Sequence, residues 1–166
     1  MFDWLRNGKY AALLLTLVRL YVGWTFLSAG LKKLTGPKPF DATGFLQGAI
    51  EKAGGEKPIV QGWYGDFLQN VALANVEVFN VLVPWGELLA GIGLILGTLT
   101  TFSALMCLLM NFSFLLAGTI SKNPNLILLG FFLLAAGANA GRFGGDRWVL
   151  PWLRQRSRAV LGRRQE

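Results

Sequence analysis

Residues 10–31 read YAALLLTLVRLYVGWTFLSAGL, and this stretch decides the class of fold. At 1.5 Å per residue, a helix of that length crosses a hydrocarbon core of about 30 Å. Arg6 and Lys9 ahead of it give it some likeness to a secretory signal. The apolar pattern nevertheless resumes after Arg19 and continues through Phe26 and Leu27, beyond the roughly 7–15 residues of a signal core. An uncleaved spanning helix over about residues 10–33 is therefore expected. Three further runs share its character, over about residues 78–99, 102–120 and 124–141. Pro84 should kink the first of these or mark its true start. Asn123 followed by Pro124 looks like an N-cap with proline at the first helical position. The connections between the second, third and fourth runs are short, which predicts an antiparallel up-down set.

Composition agrees with this reading. Of 166 residues, 53% are hydrophobic and the mean hydropathy is +0.46, too apolar for an ordinary soluble domain and suited to one compact membrane domain over residues 1–166. The expected fold is all-α, an integral membrane four-helix bundle. Charged residues make up 15% of the chain, yet the formal charge is +7. Because the arginines crowd beside apolar runs, the charge reads as membrane topology, and no nucleic-acid partner is expected. Residues 142–166 carry Arg142, Arg147, Arg154, Arg156, Arg158, Arg163 and Arg164 against Asp146 and Glu166. The positive-inside rule makes this tail cytoplasmic, and four crossings put Arg6 and Lys9 on the same side. Trp148, Trp152, Val160 and Leu161 among the arginines predict a tail lying on the anionic inner leaflet.

Residues 35–75, polar and rich in glycine and proline, then face outward. Within them residues 43–53 form a short helix with Asp41 or Thr43 as cap, Phe45, Leu46, Ala49 and Ile50 as its apolar side, and Gly54 as its stop. Trp63, Tyr64, Phe67 and Leu68 predict a segment in the headgroup region.

Chemistry is restricted by what is missing. There is one cysteine and no histidine, so an intramolecular disulfide, a CxxC relay, bis-histidine haem and histidine-ligated zinc are all excluded. No metal site can be drawn, and Cys107 reads as a small core residue.

Polar residues inside the apolar runs carry the functional argument. Arg19 lies mid-helix, where an unpaired charge costs between about 2.5 and more than 10 kcal/mol. Gly23, Phe26, Gly30 and Lys33 follow it at spacings that keep all five within about 40° on a helical wheel. Gly86, Ala90, Gly93 and Gly97 form a small-residue face on the second run, which also carries Glu87. Depths reckoned from the run ends bring Arg19, Glu87 and Asn111 together near the midplane. Two readings stay open: an internal network that holds the helices together, or the wall of a polar pocket for an anionic or quinone-like ligand. Lys33 either snorkels to the outer interface or joins Asn125 in an outward anion site, and capping explains Asn123 and Asn125 equally well. Asn139 and Arg142 read as anchoring and helix termination, and the Gly130, Gly137, Gly141 row as packing.

RLYVGWTFLSAGLKKL (19–34), PWGELLAGIGLILGTLTTFSAL (84–105) and AGANAGRFGGDRW (136–148) together resemble the DoxX/DoxD family of small bacterial and archaeal membrane proteins. One departure is Thr101, where a basic residue is expected. The resemblance implies a multi-pass protein of the cytoplasmic membrane, related in some members to the small subunit of thiosulfate:quinone oxidoreductase, with Arg19, Lys33 and Glu87 as signature polar residues. The expected function is then a membrane subunit of a redox system that binds a quinone or a small sulfur oxyanion. Arg19 and Glu87 would be its catalytic pair, and Lys33, Asn111 and Asn125 further ligand contacts. The alternative is a non-catalytic scaffold or assembly factor. With no redox group in the chain, a quinone would be a bound substrate, and electrons would pass between substrates or through a partner protein. The bilayer, a membrane or redox partner and a second copy of the chain are the partners considered.

Overall fold

The computed structural model describes residues 2–162, with the backbone alone for Arg154 and residues 157–162. Arg163, Arg164 and Glu166, and the side chains of Arg154, Arg158, Val160 and Leu161, lie outside the described residues. The described chain is all-helical: α1 (Phe2–Asn7), α2 (Lys9–Leu34), α3 (Thr43–Glu51), α4 (Gly62–Phe67), α5 (Val76–Leu96), α6 (Thr100–Leu116), α7 (Asn123–Ala136) and α8 (Asp146–Gly162). A π-helical turn, Leu68–Leu73, extends α4, and a 3-10 turn, Gly137–Gly141, extends α7.

Three helical stretches are long and apolar enough to cross a membrane: Lys9–Leu34, Val76–Leu96 and Asn123–Gly141. The fourth apolar helix, α6, is shorter at 17 residues, about 25 Å. Helix α2 packs on α5, α5 on α6, α6 on α7, and α7 back on α2. Their shared core includes Val22, Leu94 and Leu133, each fully buried. Outward-facing side chains are just as apolar, among them Leu17, Trp24, Leu89, Phe102 and Leu128, as expected where lipid replaces water as solvent.

Glycines set how closely the helices approach. A Cβ on Gly30 would come within 2.8 Å of the Pro84 carbonyl oxygen, and one on Gly91 within 2.5 Å of the Leu27 amide nitrogen, so α2 and α5 touch backbone to backbone. The expected stripe on α2 is therefore at this contact. The stripe expected on α5 divides instead. Gly86 faces Met110 and Gly93 faces Ser103, both on α6, while Gly97 receives Arg19 and Gly91 supplies the contact with α2.

Several boundaries also differ from expectation. Helix α5 starts before Pro84, which lies buried inside it, and ends at Leu96 because Gly97 adopts a left-handed conformation, φ 65°. The third apolar helix covers Thr100–Leu116 rather than 102–120. Asn123 is already helical and does not cap; its side-chain amide donates to the Thr119 carbonyl.

Residues 35–75 fold over the far end of α5 and α6. Ala42, Leu46, Ala49, Val60, Tyr64, Leu68 and Ala72 bury against one another and Ala117. Tyr64 and Leu68, expected among headgroups, thus point inward, whereas Trp63 is exposed. The N-cap position of α3 falls to Ala42 and not to Asp41 or Thr43, yet the Asp41 carboxylate one residue earlier serves the helix start by accepting from the Thr43 amide and hydroxyl. The Asn80 side chain of α5 ties this cap down by accepting from the Ala42 amide at 2.7 Å. The molecule thus has a loop end, at residues 35–75, and a terminal end, where α1 and the start of α8 meet.

Candidate functional site

Charges inside apolar helices pair in a way set by helix direction. Side chains on an α-helix lean toward its N-terminus. Helix α2 runs from the terminal end to the loop end and α5 runs back, so Lys33 leans away from the loop end and Glu87 toward it. The two meet: Lys33 Nζ donates to Glu87 Oε2 at 2.6 Å. Glu87 is almost wholly buried, with its side chain 4% exposed, while Lys33 keeps 25% of its side chain accessible and lies 5.7 Å from the centroid of the Phe40 ring.

Helix register separates Arg19 from Glu87: Gly23 packs on Leu94 and Gly91 on Leu27, so Arg19 stands level with the end of α5 and the expected Arg19, Glu87 and Asn111 cluster does not assemble. Arg19 leans toward the terminal end, where its guanidinium lies against Gly97 and Gly144. Gly97, the residue at which α5 ends, follows Glu87 by ten residues, about 15 Å along the axis. Arg19 is 2% exposed, and its Nε and Nη1 find no hydrogen-bond partner among the described residues. What favours its charge is the negative C-terminal end of α5 and the field of Asp146, the acid that acts on it.

Asp146 is the residue that sequence reasoning missed. It is buried, and its carboxylate accepts from the Leu99 amide at 2.6 Å and the Thr100 amide at 3.0 Å, capping α6 just after Leu99 takes a left-handed φ of 49°. The Gly145 and Asp146 amides donate to the Leu96 and Gly97 carbonyls. Residues 144–146 therefore close the α5–α6 turn around Arg19. Two glycines before an acid, Gly144-Gly145-Asp146, were the available signal, since such a segment allows close backbone approach followed by a cap.

Asn111 lies beside Met110, which packs on Gly86, so it shares the depth of Glu87. It is buried, and its Nδ2 has no partner among the described residues. Asn125 is exposed. Asn139 donates to the Leu5 and Gly8 carbonyls and ties α1 to the 3-10 turn.

Beside the Lys33–Glu87 pair runs a groove of about 860 Å³. It follows α5 from Phe79 to Gly93, about 21 Å, and continues to Thr98 and Leu99 of the turn, with Met106 and Met110 of α6 on its other wall and Phe45 and Tyr64 of the loop at its end. Lys33 and Glu87 are its charged lining residues among those described; Arg19 and Asn111 do not line it. Tyr64 is held by a bond from its hydroxyl to the Ser113 carbonyl at 3.0 Å. Burial moves the Tyr64 phenol above its ordinary value, the bond to Ser113 opposing. Hydrogen bonds from Thr43, side chain and then backbone, hold the Asp41 carboxyl below its ordinary range.

Chemically, the arrangement offers one polar end, an ammonium donor hydrogen-bonded to a carboxylate, and a long apolar channel beside it. Such an arrangement is suited to an amphipathic molecule with a small polar head.

No curated protein and no solved structure matches the chain. The family model DoxX matches residues 14–119, which contain α2 from Leu14, the loop, α5 and α6 and therefore both Lys33 and Glu87. With well over half of its 166 residues under that match and apolar helices on either side of the loop, this multi-pass membrane protein belongs to the DoxX family.

Proposed function

We propose that the protein binds a quinone-type molecule in the α5–α6 groove, as a membrane subunit of a redox system. The observation that carries this reading is the placement of a single Lys33–Glu87 pair in the wall of an otherwise apolar groove. A quinone ring carries carbonyl oxygens that an ammonium can bond, and an isoprenoid tail that suits about 21 Å of largely apolar channel. Lys33 Nζ would donate to one carbonyl oxygen, and Glu87, already bonded to that nitrogen, would accept or deliver the proton that accompanies reduction or oxidation. A small sulfur oxyanion fits less well. It would have to compete with Glu87 for Lys33 within an apolar wall. Electrons would come from a substrate or partner, because neither histidine nor a cysteine pair exists in the chain.

The arrangement in the membrane belongs to the same proposal. One domain crosses four times as a bundle of α2, α5, α6 and α7, with the loop end outside and the basic terminal end in the cytoplasm. Cysteines introduced singly at Lys57 and Arg156 in a Cys107→Ser background, probed with an impermeant maleimide on intact cells, should label only at the loop position. Arg19 is architectural in this reading, in place of the catalytic role expected for it.

Protein in phosphatidylcholine nanodiscs, titrated with a short-tailed ubiquinone or menaquinone analogue and followed by tryptophan fluorescence, tests the binding. Lys33→Met and Glu87→Gln should weaken binding about ten-fold or more, consistent with loss of a charge-assisted hydrogen bond of about 1.5–3 kcal/mol. Absence of saturable binding, or binding indifferent to both variants, refutes the reading; thiosulfate binding at Lys33 in its place would favour the oxyanion.

A further inference from the structure

A second cleft lies at the terminal end, away from the groove. Its volume is about 330 Å³, and Arg6, Asn139, Arg142, Asp146, Arg147 and Pro151 are among its lining. It forms where α1, the 3-10 turn and the start of α8 come together, and three arginines from these separate elements meet there. Two of them are fixed by backbone carbonyls: Arg6 Nε donates to Ala135 O at 3.0 Å, and Arg142 Nη1 donates to Asn7 O at 3.1 Å. Each guanidinium has five N–H donors, so these bonds orient it and leave donors available toward the cleft. The single acid present, Asp146, whose oxygens accept from the Leu99 and Thr100 amides, carries one negative charge against three arginines, so the lining keeps a net positive charge. Arg147 lies 4.7 Å from the centroid of the Trp148 ring. Trp148 and Trp152 are themselves exposed, at the level where indoles settle at a membrane interface.

We propose that this cleft is a binding site for the phosphate of an anionic phospholipid headgroup, with Arg6, Arg142 and Arg147 as its donors. Converging guanidinium forks match phosphate oxygens in geometry and charge. The position suits a lipid. The cleft sits at the end of the apolar helices, where a headgroup lies while its acyl chains run along exposed apolar side chains of α2 and α7. Holding a lipid there ties α1, α7 and α8 together at the end that also carries the Arg19 enclosure.

The test uses the full chain in nanodiscs of phosphatidylcholine with one part in ten phosphatidylglycerol, with native mass spectrometry reading the lipids retained. Preferential retention of at least one phosphatidylglycerol is expected. Arg147→Gln breaks no bond to a backbone carbonyl and should lower retention about five-fold, the electrostatic contribution of one arginine near an anionic surface. The triple variant Arg6→Gln, Arg142→Gln, Arg147→Gln should abolish it. Protection of the buried Cys107 from maleimide verifies that each variant is folded. Arg156→Gln, also on α8 but outside the cleft, should retain the lipid. Equal retention of the two lipids, or equal losses in Arg147→Gln and Arg156→Gln, overturns the proposal. So does stabilisation by inorganic phosphate in pure phosphatidylcholine that phosphatidylglycerol does not reproduce, since the site would then serve a soluble anion.

Discussion

Removing either partner of the Lys33–Glu87 pair should have unequal consequences, because the two partners differ in access to water. In Lys33→Met the carboxylate stays behind with its side chain 4% exposed, and loss of one partner of a buried pair typically costs about 3–5 kcal/mol. Glu87→Gln leaves the ammonium instead. The Lys33 side chain is already 25% exposed and stands one residue before the end of α2, so it can extend toward the interface. That variant should approach the cost of losing a surface pair, about 1 kcal/mol. In the double variant neither charge remains, and the cost should fall well below that of Lys33→Met. Thermal or denaturant unfolding in a fixed detergent, followed by maleimide reaction of Cys107, measures all three. A Glu87→Gln loss equal to or larger than that of Lys33→Met would refute the burial argument. Strict additivity in the double variant would show that the two side chains do not interact.

Four further outcomes follow from the geometry. Gly97→Ala places a methyl where the Arg19 guanidinium lies and forces a left-handed φ of 65° on a side-chain residue; combined strain and overpacking should cost about 2–5 kcal/mol in unfolding assays. Gly48→Ala, in α3 with nothing within 4 Å of the added methyl, should be neutral or stabilise by up to about 1 kcal/mol. Tyr64→Phe removes the bond to Ser113 and should cost about 1 kcal/mol. Because the folded phenol is raised, its contribution is complete below its unfolded value near 10 and declines as pH climbs through the folded value, so protection of α3 amides, taken relative to their intrinsic base-catalysed exchange, should fall at high pH in the native protein and not in Tyr64→Phe. Asp41 behaves oppositely: its lowered carboxyl stabilises the α3 cap above an unfolded value near 4 and loses that effect as pH falls, an exchange dependence that Asp41→Asn should abolish.

The apolar helices were legible because their signal is additive along the chain: twenty consecutive side chains report the same solvent. Residues 10–33 and Lys9–Leu34 nearly coincide for this reason. The stops were less legible where one backbone conformation decided them, as at Gly97 and Leu99. The pairing of charges was not legible from depth alone. Arg19 and Glu87 each fall near mid-membrane when counted from helix ends, yet Arg19 reaches Gly97 and Glu87 reaches Lys33. Counting assumes level helix ends, whereas Gly23 packs on Leu94 and Gly91 on Leu27, which sets Arg19 opposite the end of α5; in addition a long side chain extends several ångströms toward the N-terminus of its own helix. In an antiparallel pair that displacement has opposite sign on the two partners. The α2 glycines do not resolve the register either, since Gly23 and Gly30 offer the same small surface one heptad apart.

Register and displacement together explain why α2 carries two cations with different fates. Both lean toward the terminal end of the molecule. Lys33 starts close to the loop end, so leaning brings it down into the groove, onto a carboxylate that leans up to meet it. Arg19 starts level with the C-terminal end of α5, one turn before Gly23 packs on Leu94, and there Gly97 and Gly144 leave room for a guanidinium and Asp146 supplies the nearby negative charge. Exchanging the two residue types would fail at both places. A lysine at position 19 would present a compact, strongly hydrated ammonium to an enclosure with few acceptors, and an arginine at position 33 would bring a planar fork to a single carboxylate oxygen. The lysine is therefore the cation that lines the groove, and the arginine is the one around which the α5–α6 turn closes.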